Sequence, residues 1–153
     1  MSRKWLVAYD FSAQSEAALA LAADLLSGVG GGEIILLHVH RPLSTAFGAE
    51  FASLSPAFRD VDTTVADAAR GRLEEVASAA RGRYPELPIK TVVAPGYPPD
   101  HIALVAKDED VEQIVVGSHG RRGIKRVFLG SVAERVVREA DRSVLVVKGD
   151  GEG

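Results

Sequence analysis

VEQIVVGSHGRRGIKRVFLGSV (residues 111–132) decides how this chain folds. Residues 111–116 form a short, mainly apolar run of the kind that makes a strand buried on both faces. Glycines and four cations (Arg121, Arg122, Lys125, Arg126) follow with no acid among them, and the pattern from 127 to 140 is helical. A strand, a glycine-rich basic loop and a helix in that order make half of a strand–helix–strand unit. Gly117 and Gly120 let backbone approach a ligand without a Cβ in the way. Gly130-Ser131 stands near a helix entrance, where free N–H groups and the helix dipole favour phosphate. Ser118 and Ser131 add hydroxyl donors. A solvated basic loop with turn glycines explains the same residues, so both readings stay open at this point.

The rest of the chain repeats the alternation. Strands are expected at 5–9, 34–39, 89–93, 111–116 and 143–147, the third more mixed and so nearer an edge. Helices are expected after a Ser12 or Ser15 cap, with Ala18, Leu21, Ala22, Leu25 and Leu26 at helical spacing, and over 60–83, 100–107 and 127–140. Residues 41–57 read as a long loop, and the end of the chain (150–153) as a polar tail. Five strands alternating with helices define a single α/β domain over 1–149, with a parallel sheet covered on both faces.

Right-handed crossovers bring every strand-to-helix loop to the carboxyl edge of such a sheet, where ligands of open α/β folds bind. This sorts the glycines. Gly28 and residues 30–32 lie between a helix and a strand, hence at the opposite edge, and read as a helix stop. They also lack the Lys-Ser/Thr ending of a phosphate-binding Walker loop. Gly117 lies at the ligand edge, as do Asp10 and Val39 at the ends of strands one and two. An acid there suits a ribose hydroxyl, an adenine amino group or a metal; capping of the next helix is the competing role for Asp10. Val39 offers main-chain N–H and C=O to a purine edge, or is simply core.

Composition bounds the function. The chain has 153 residues, 46% of them apolar and 25% charged, with a formal charge of -3 and no cysteine. That balance argues against general nucleic-acid affinity and leaves no thiolate nucleophile or thiolate metal site. No run approaches the ~20 apolar residues of a membrane span, so a cytoplasmic protein without membrane attachment is expected. His38 and His40 alternate on one strand face and raise a metal site, against the plainer reading of a core histidine and a loop histidine. Ser12 and Ser15 have no base placed beside them and read as caps, and Arg135 and Arg138 as a solvated helix face.

Taken together, the residues resemble the universal stress protein family. Its nucleotide-binding branch carries Gly, two residues, Gly, nine residues, then Gly-Ser or Gly-Thr. Here Gly117 and Gly120 are followed by the nine residues 121–129 and then Gly130-Ser131. The resemblance extends to Asp10-Phe11-Ser12, Leu37-His38-Val39, Gly96-Tyr97-Pro98 and the Val-rich end at 143–147. It implies a sheet in the order 3-2-1-4-5 and a cleft between strands one and four. It also implies ATP or another adenine nucleotide as ligand: the base near Val39 and Asp10, the ribose near Asp10 and Gly117, and the phosphates near Gly120, Gly130, Ser131 and Val132, with Ala8, Tyr9, Val116, Ser118 and Arg121 as further nucleotide-binding residues. Mg²⁺ would accompany ATP at Asp10, and a homodimer would form through 143–147. Many relatives have other residue pairs where Ala8-Tyr9 stand, so Tyr9 is expected to alter base packing. No catalytic carboxylate lies inside the glycine motif, so a signalling module is expected, with a slow Mg²⁺-dependent ATPase or phosphotransferase using Asp10 and His119 as the alternative.

Overall fold

The computed structural model describes residues 3–43, 50, 56–119 and 129–149. Five strands, β1 (Lys4–Ala8), β2 (Glu33–His40), β3 (Ile89–Pro95), β4 (Gln113–Gly117) and β5 (Ser143–Val147), form one sheet. All pairs are parallel and the order is β3-β2-β1-β4-β5, as expected. Val7 at the centre stands beside Leu36 on one side and Val115 on the other. The mixed third strand is indeed an edge strand.

Helices α1 (Ala13–Gly28) and α2 (Pro56–Arg83) cover one face. Their core holds Val7, Leu36 and Val115 from the sheet with Leu26 and Leu73 from the helices. Helices α3 (Pro98–Asp108) and α4 (Ser131–Glu139) cover the other, around Leu6, Leu37, Ile114, Ile102 and Val136. Neighbouring strand residues alternate between the two cores because side chains point to opposite faces. That two-sided burial is why the strands read as unbroken apolar runs rather than alternating ones.

Element ends differ from expectation for local reasons. Helix α2 begins at Pro56, inside the stretch expected to be loop; proline suits a first helical turn, where its missing N–H has no partner to lose. Leu43 N–H donates to Asp62 Oδ1 at 2.7 Å, tying the start of that connection to α2. Val111 closes the end of α3 instead of opening β4: its N–H donates to the Ala106 carbonyl at 3.0 Å, after Asp110 turns the chain at φ 50°. Helix α4 starts at Ser131, four residues later than the sequence pattern suggests, because Gly130 is extended at φ -61° and ψ 159°. At the far edge of the sheet Gly31, at φ 107°, ends α1 by donating to the Leu26 carbonyl at 2.7 Å, as a helix stop should.

Leu36 is fully buried in the central strands. Its replacement by alanine is expected to cost about 2–5 kcal/mol in urea unfolding; a loss near zero would contradict the packing described.

Candidate functional site

The carboxyl edge of the sheet opens into a cleft of about 390 Å³ on the side of α3 and α4. Its floor is apolar, from Ala8, Leu37, Val39 and Val116, and Pro98 and Ile102 of α3 add to it. Asp10, Ser118, His119, Gly130 and Ser131 also border it, and Ser118 and Gly130 are joined there by the Gly130 N–H on the Ser118 carbonyl. Of the residues singled out in the sequence, Ala8, Tyr9, Asp10, Val39, Val116, Gly117, Ser118, Gly130, Ser131 and Val132 all border this one cleft. Gly120 and Arg121 lie outside the described residues.

Asp10 does not cap α1, a role that falls to Ser12; it braces the turn ahead of that cap. Its Oδ1 accepts the Ser12 N–H at 3.0 Å and its own N–H donates to Ser15 Oγ at 3.3 Å, while the residue also borders the cleft. Ser12 is the N-cap of α1, its hydroxyl accepting the Ser15 N–H at 3.1 Å. Ser15 is buried and reaches the cleft wall.

Ser118 joins three elements. Its N–H donates to the Val147 carbonyl at 2.8 Å, and its own carbonyl accepts the Gly130 N–H at 2.6 Å. The chain therefore leaves β4 and returns to α4 at a single fixed point. Ser118 Oγ lies 3.1 Å from His119 Nδ1, and His119 Nε2 is buried with no hydrogen-bond partner among the described residues. Gly130 caps α4 without a side-chain hydrogen bond. The first N–H groups of that helix thus border the cleft with no capping side chain, a favourable end for an anion.

The glycines are required for different reasons than loop chemistry alone suggests. Gly117 does not have a positive φ; a Cβ there would meet Gln14 Cβ at 2.8 Å and the Gln14 carbonyl carbon at 3.0 Å. Close approach of α1 to the end of β4 excludes a side chain. Gly130 has dihedrals open to any residue, so what a side chain there would change is the cleft entrance.

Tyr9 borders the cleft, but its ring belongs to the core under α1 and α2. Burial, reinforced by its hydrogen bond to Glu16, pushes the Tyr9 phenol well above its ordinary range. His38 is half-buried, its Nδ1 2.8 Å from the Tyr9 carbonyl, while His40, expected in a loop, is the buried last residue of β2, its Nδ1 without a hydrogen-bond partner among the described residues. No group of three His, Cys, Asp or Glu side chains gathers for a metal among the described residues. Leu37, Pro98, Ile102 and Ala133 are cleft residues that sequence reasoning missed, because apolar lining and apolar core look alike in a sequence. Arg135 and Arg138 are exposed and pair with Glu139 and Glu134 one helical turn away.

The profile described as Universal stress protein family matches residues 1–148, and the chain belongs to that family. Universal stress protein Rv2005c of Mycobacterium tuberculosis is 32% identical over 145 residues, 94% of this chain and 44% of that protein. Universal stress protein MJ0577 of Methanocaldococcus jannaschii is 42% identical over 60 residues, 39% of this chain and 37% of that one. The matched stretch thus spans less than half the length of these curated relatives. The solved structure of MJ0577 superposes with a TM-score of 0.79 at 29% identity, covering 97% of this chain and 96% of the other. A universal stress protein from Archaeoglobus fulgidus, solved in complex with dAMP, shares the fold at a TM-score of 0.59 and 21% identity, covering 97% and 98% of the two chains. Among the described residues no helix is long and apolar enough to cross a membrane.

Burial pushes the His38 imidazole below its ordinary value of 6.5; the bond to the Tyr9 carbonyl opposes this, and His40 adds to the fall. The folded state therefore favours neutral His38, and the unfolded chain takes up the proton first on acidification. The contribution is present above 6.5 and is lost as pH falls through the folded value. The urea midpoint is expected to decline from about pH 7 to about pH 5, less steeply in His38→Asn. An unchanged slope would show that His38 is not the group responsible.

Proposed function

We propose that this protein binds ATP in the cleft between β1 and β4 and acts as a nucleotide-dependent signalling module of the stress response. The observation that carries the reading is one cleft at the carboxyl edge of the sheet lined both by apolar side chains and by Asp10, Ser118 and the first residues of α4. Ala8, Leu37, Val39, Val116 and Ile102 suit a planar base. Asp10 suits the ribose hydroxyls, and the main chain of Val39 the purine edge. Ser118, Gly130, Ser131 and Val132, at the open end of α4, suit phosphate. Gly120 and Arg121 belong to the same phosphate end by motif. The dAMP complex of the Archaeoglobus relative supports an adenine nucleotide as the ligand class. The cytoplasm, where the nucleotide pool lies, is the compartment that goes with it.

A second reading rests on His119, which borders the cleft and whose buried Nε2 has no hydrogen-bond partner among the described residues. A slow ATPase or phosphotransferase would use it as acid or base. Asp10 would hold Mg²⁺, which when bound would neutralise charge on the phosphates. Asp10 itself is fixed by the Ser12 N–H, and so meets such an ion from a set position.

Calorimetric titration with ATP is expected to show saturable binding by the folded protein, abolished in Gly130→Val, whose branched side chain fills the phosphate approach. A folded Gly130→Val that still binds ATP would remove the phosphate site from where it is proposed. Turnover with Mg²⁺ well above background, lost in Asp10→Ala while binding persists, would favour the enzyme reading over the signalling one.

The β5 edge, Ser143–Val147, carries half-buried Val144, Leu145 and Val146 and, among the described residues, pairs only with β4. Pairing of this edge with a second copy gives a homodimer. Light scattering is expected to return twice the monomer mass of 16.2 kDa, and a monomer at all concentrations would refute the pairing.

A further inference from the structure

Asp10 reaches the cleft on a strained turn. The next residue, Phe11, has φ 64°, in the left-handed region. Asp110 is the other described non-glycine residue at positive φ, and aspartate tolerates that region where an aromatic residue does not. Strain of this kind persists only where the surroundings over-determine it. Here they do. The Phe11 ring meets the Tyr9 ring edge-on at 5.2 Å and 86°, and the His38 ring at 4.9 Å and 58°. The Arg72 guanidinium of α2 lies 4.0 Å from its centroid. The partners are themselves held: Tyr9 by Glu16 and by the Leu37 carbonyl, His38 by the Tyr9 carbonyl.

This aromatic group packs with the core of α1 and α2, on the sheet face opposite the cleft. On the cleft side the same turn delivers the Asp10 carboxylate, steadied by the Ser12 N–H. A substitute at position 11 with a Cβ but no ring would keep the strain and lose the contacts that hold it. The backbone would then relax to negative φ and turn Asp10 away.

We propose that Phe11 is a positioning residue for the ligand site. Its ring, gripped by Tyr9, His38 and Arg72 on the back face, holds the left-handed turn that presents Asp10 to the cleft. The proposal rests on the nucleotide reading above for its ligand. It makes Arg72, which does not border the cleft, a determinant of affinity.

The test compares Phe11→Ala, Phe11→Gly, Phe11→Tyr and Arg72→Met with the unsubstituted protein. ATP affinity is measured well below each thermal midpoint. Phe11→Ala is expected to bind about tenfold more weakly, since it keeps the strain and loses the ring. Phe11→Gly, which adopts positive φ freely, is expected to recover most of that loss, and Phe11→Tyr to bind nearly as the unsubstituted protein. Arg72→Met is expected to weaken binding by about threefold while leaving the backbone intact, so a Phe11→Ala that fails to fold does not block the test. A merely structural Phe11 would lower thermal stability in the alanine and glycine variants and leave ATP affinity equal in all folded proteins; that result overturns the proposal.

Amide exchange of Ser12 in ligand-free protein separates the two readings. Its N–H, bonded to Asp10 Oδ1, is expected to lose protection in Phe11→Ala and keep it in Phe11→Gly. If the unsubstituted protein does not bind ATP, the nucleotide reading falls and Ser12 exchange alone decides the turn. Unchanged protection in Phe11→Ala overturns the positioning role whatever the ligand.

Discussion

The parallel pairing of β1 with β4 is the constraint on which the rest depends. From β1 the chain winds outward to β2 and β3, then crosses back to lay β4 on the other side. The helices that follow β1 and β4 pack on opposite faces of the sheet, and a crevice forms at the carboxyl ends of those two strands. Gly117 ends β4 and Asp10 follows β1 by two residues, so both border it. The fold thus supplies the location and the local sequence supplies the chemistry.

Main-chain hydrogen bonds then fix part of the crevice's lining. Ser118 joins β4 to the end of β5 and to the residue capping α4. The closure entropy of the excursion between Ser118 and Gly130 is met by protein contacts, and it grows only slowly with length. A ligand therefore meets a helix terminus already in place. The absence of a side-chain cap on α4 fits this, since a serine or aspartate at position 130 would compete for the same N–H groups.

Much of this was legible in the sequence, for identifiable reasons. Strands buried on both faces write themselves as apolar runs, so 34–39 and 143–147 lie close to β2 and β5. Strand ends at one edge follow from handedness, so Asp10, Val39 and Gly117 could be grouped before any geometry was known. Helix α4 was placed too early because apolar residues before Gly130 continue its periodicity, and only the extended backbone of Gly130 interrupts it. Pro98 and Ile102 were missed because a cleft floor and a core have one composition. The reason for glycine at 117 was hidden too: it is the approach of Gln14, over a hundred residues earlier in the chain. Phe11 sits inside a recognised motif, yet its left-handed backbone and its ring's partners on β2 and α2 are tertiary facts that no periodicity records.

The direction of the strands has a practical corollary. Residue 3 leads into β1 at one edge of the sheet, and β5 delivers the chain to the other, where the Gly149 N–H is held by Gln14 Oε1 at 2.6 Å. Gln14 is the same residue that crowds Gly117. Any polypeptide joined after residue 149 therefore starts at the carboxyl edge of the sheet, the edge that carries the crevice, while one joined ahead of residue 3 starts a full strand length away. A fluorophore or affinity handle on the first end shares that edge with whatever enters; on the second it watches from the opposite shore.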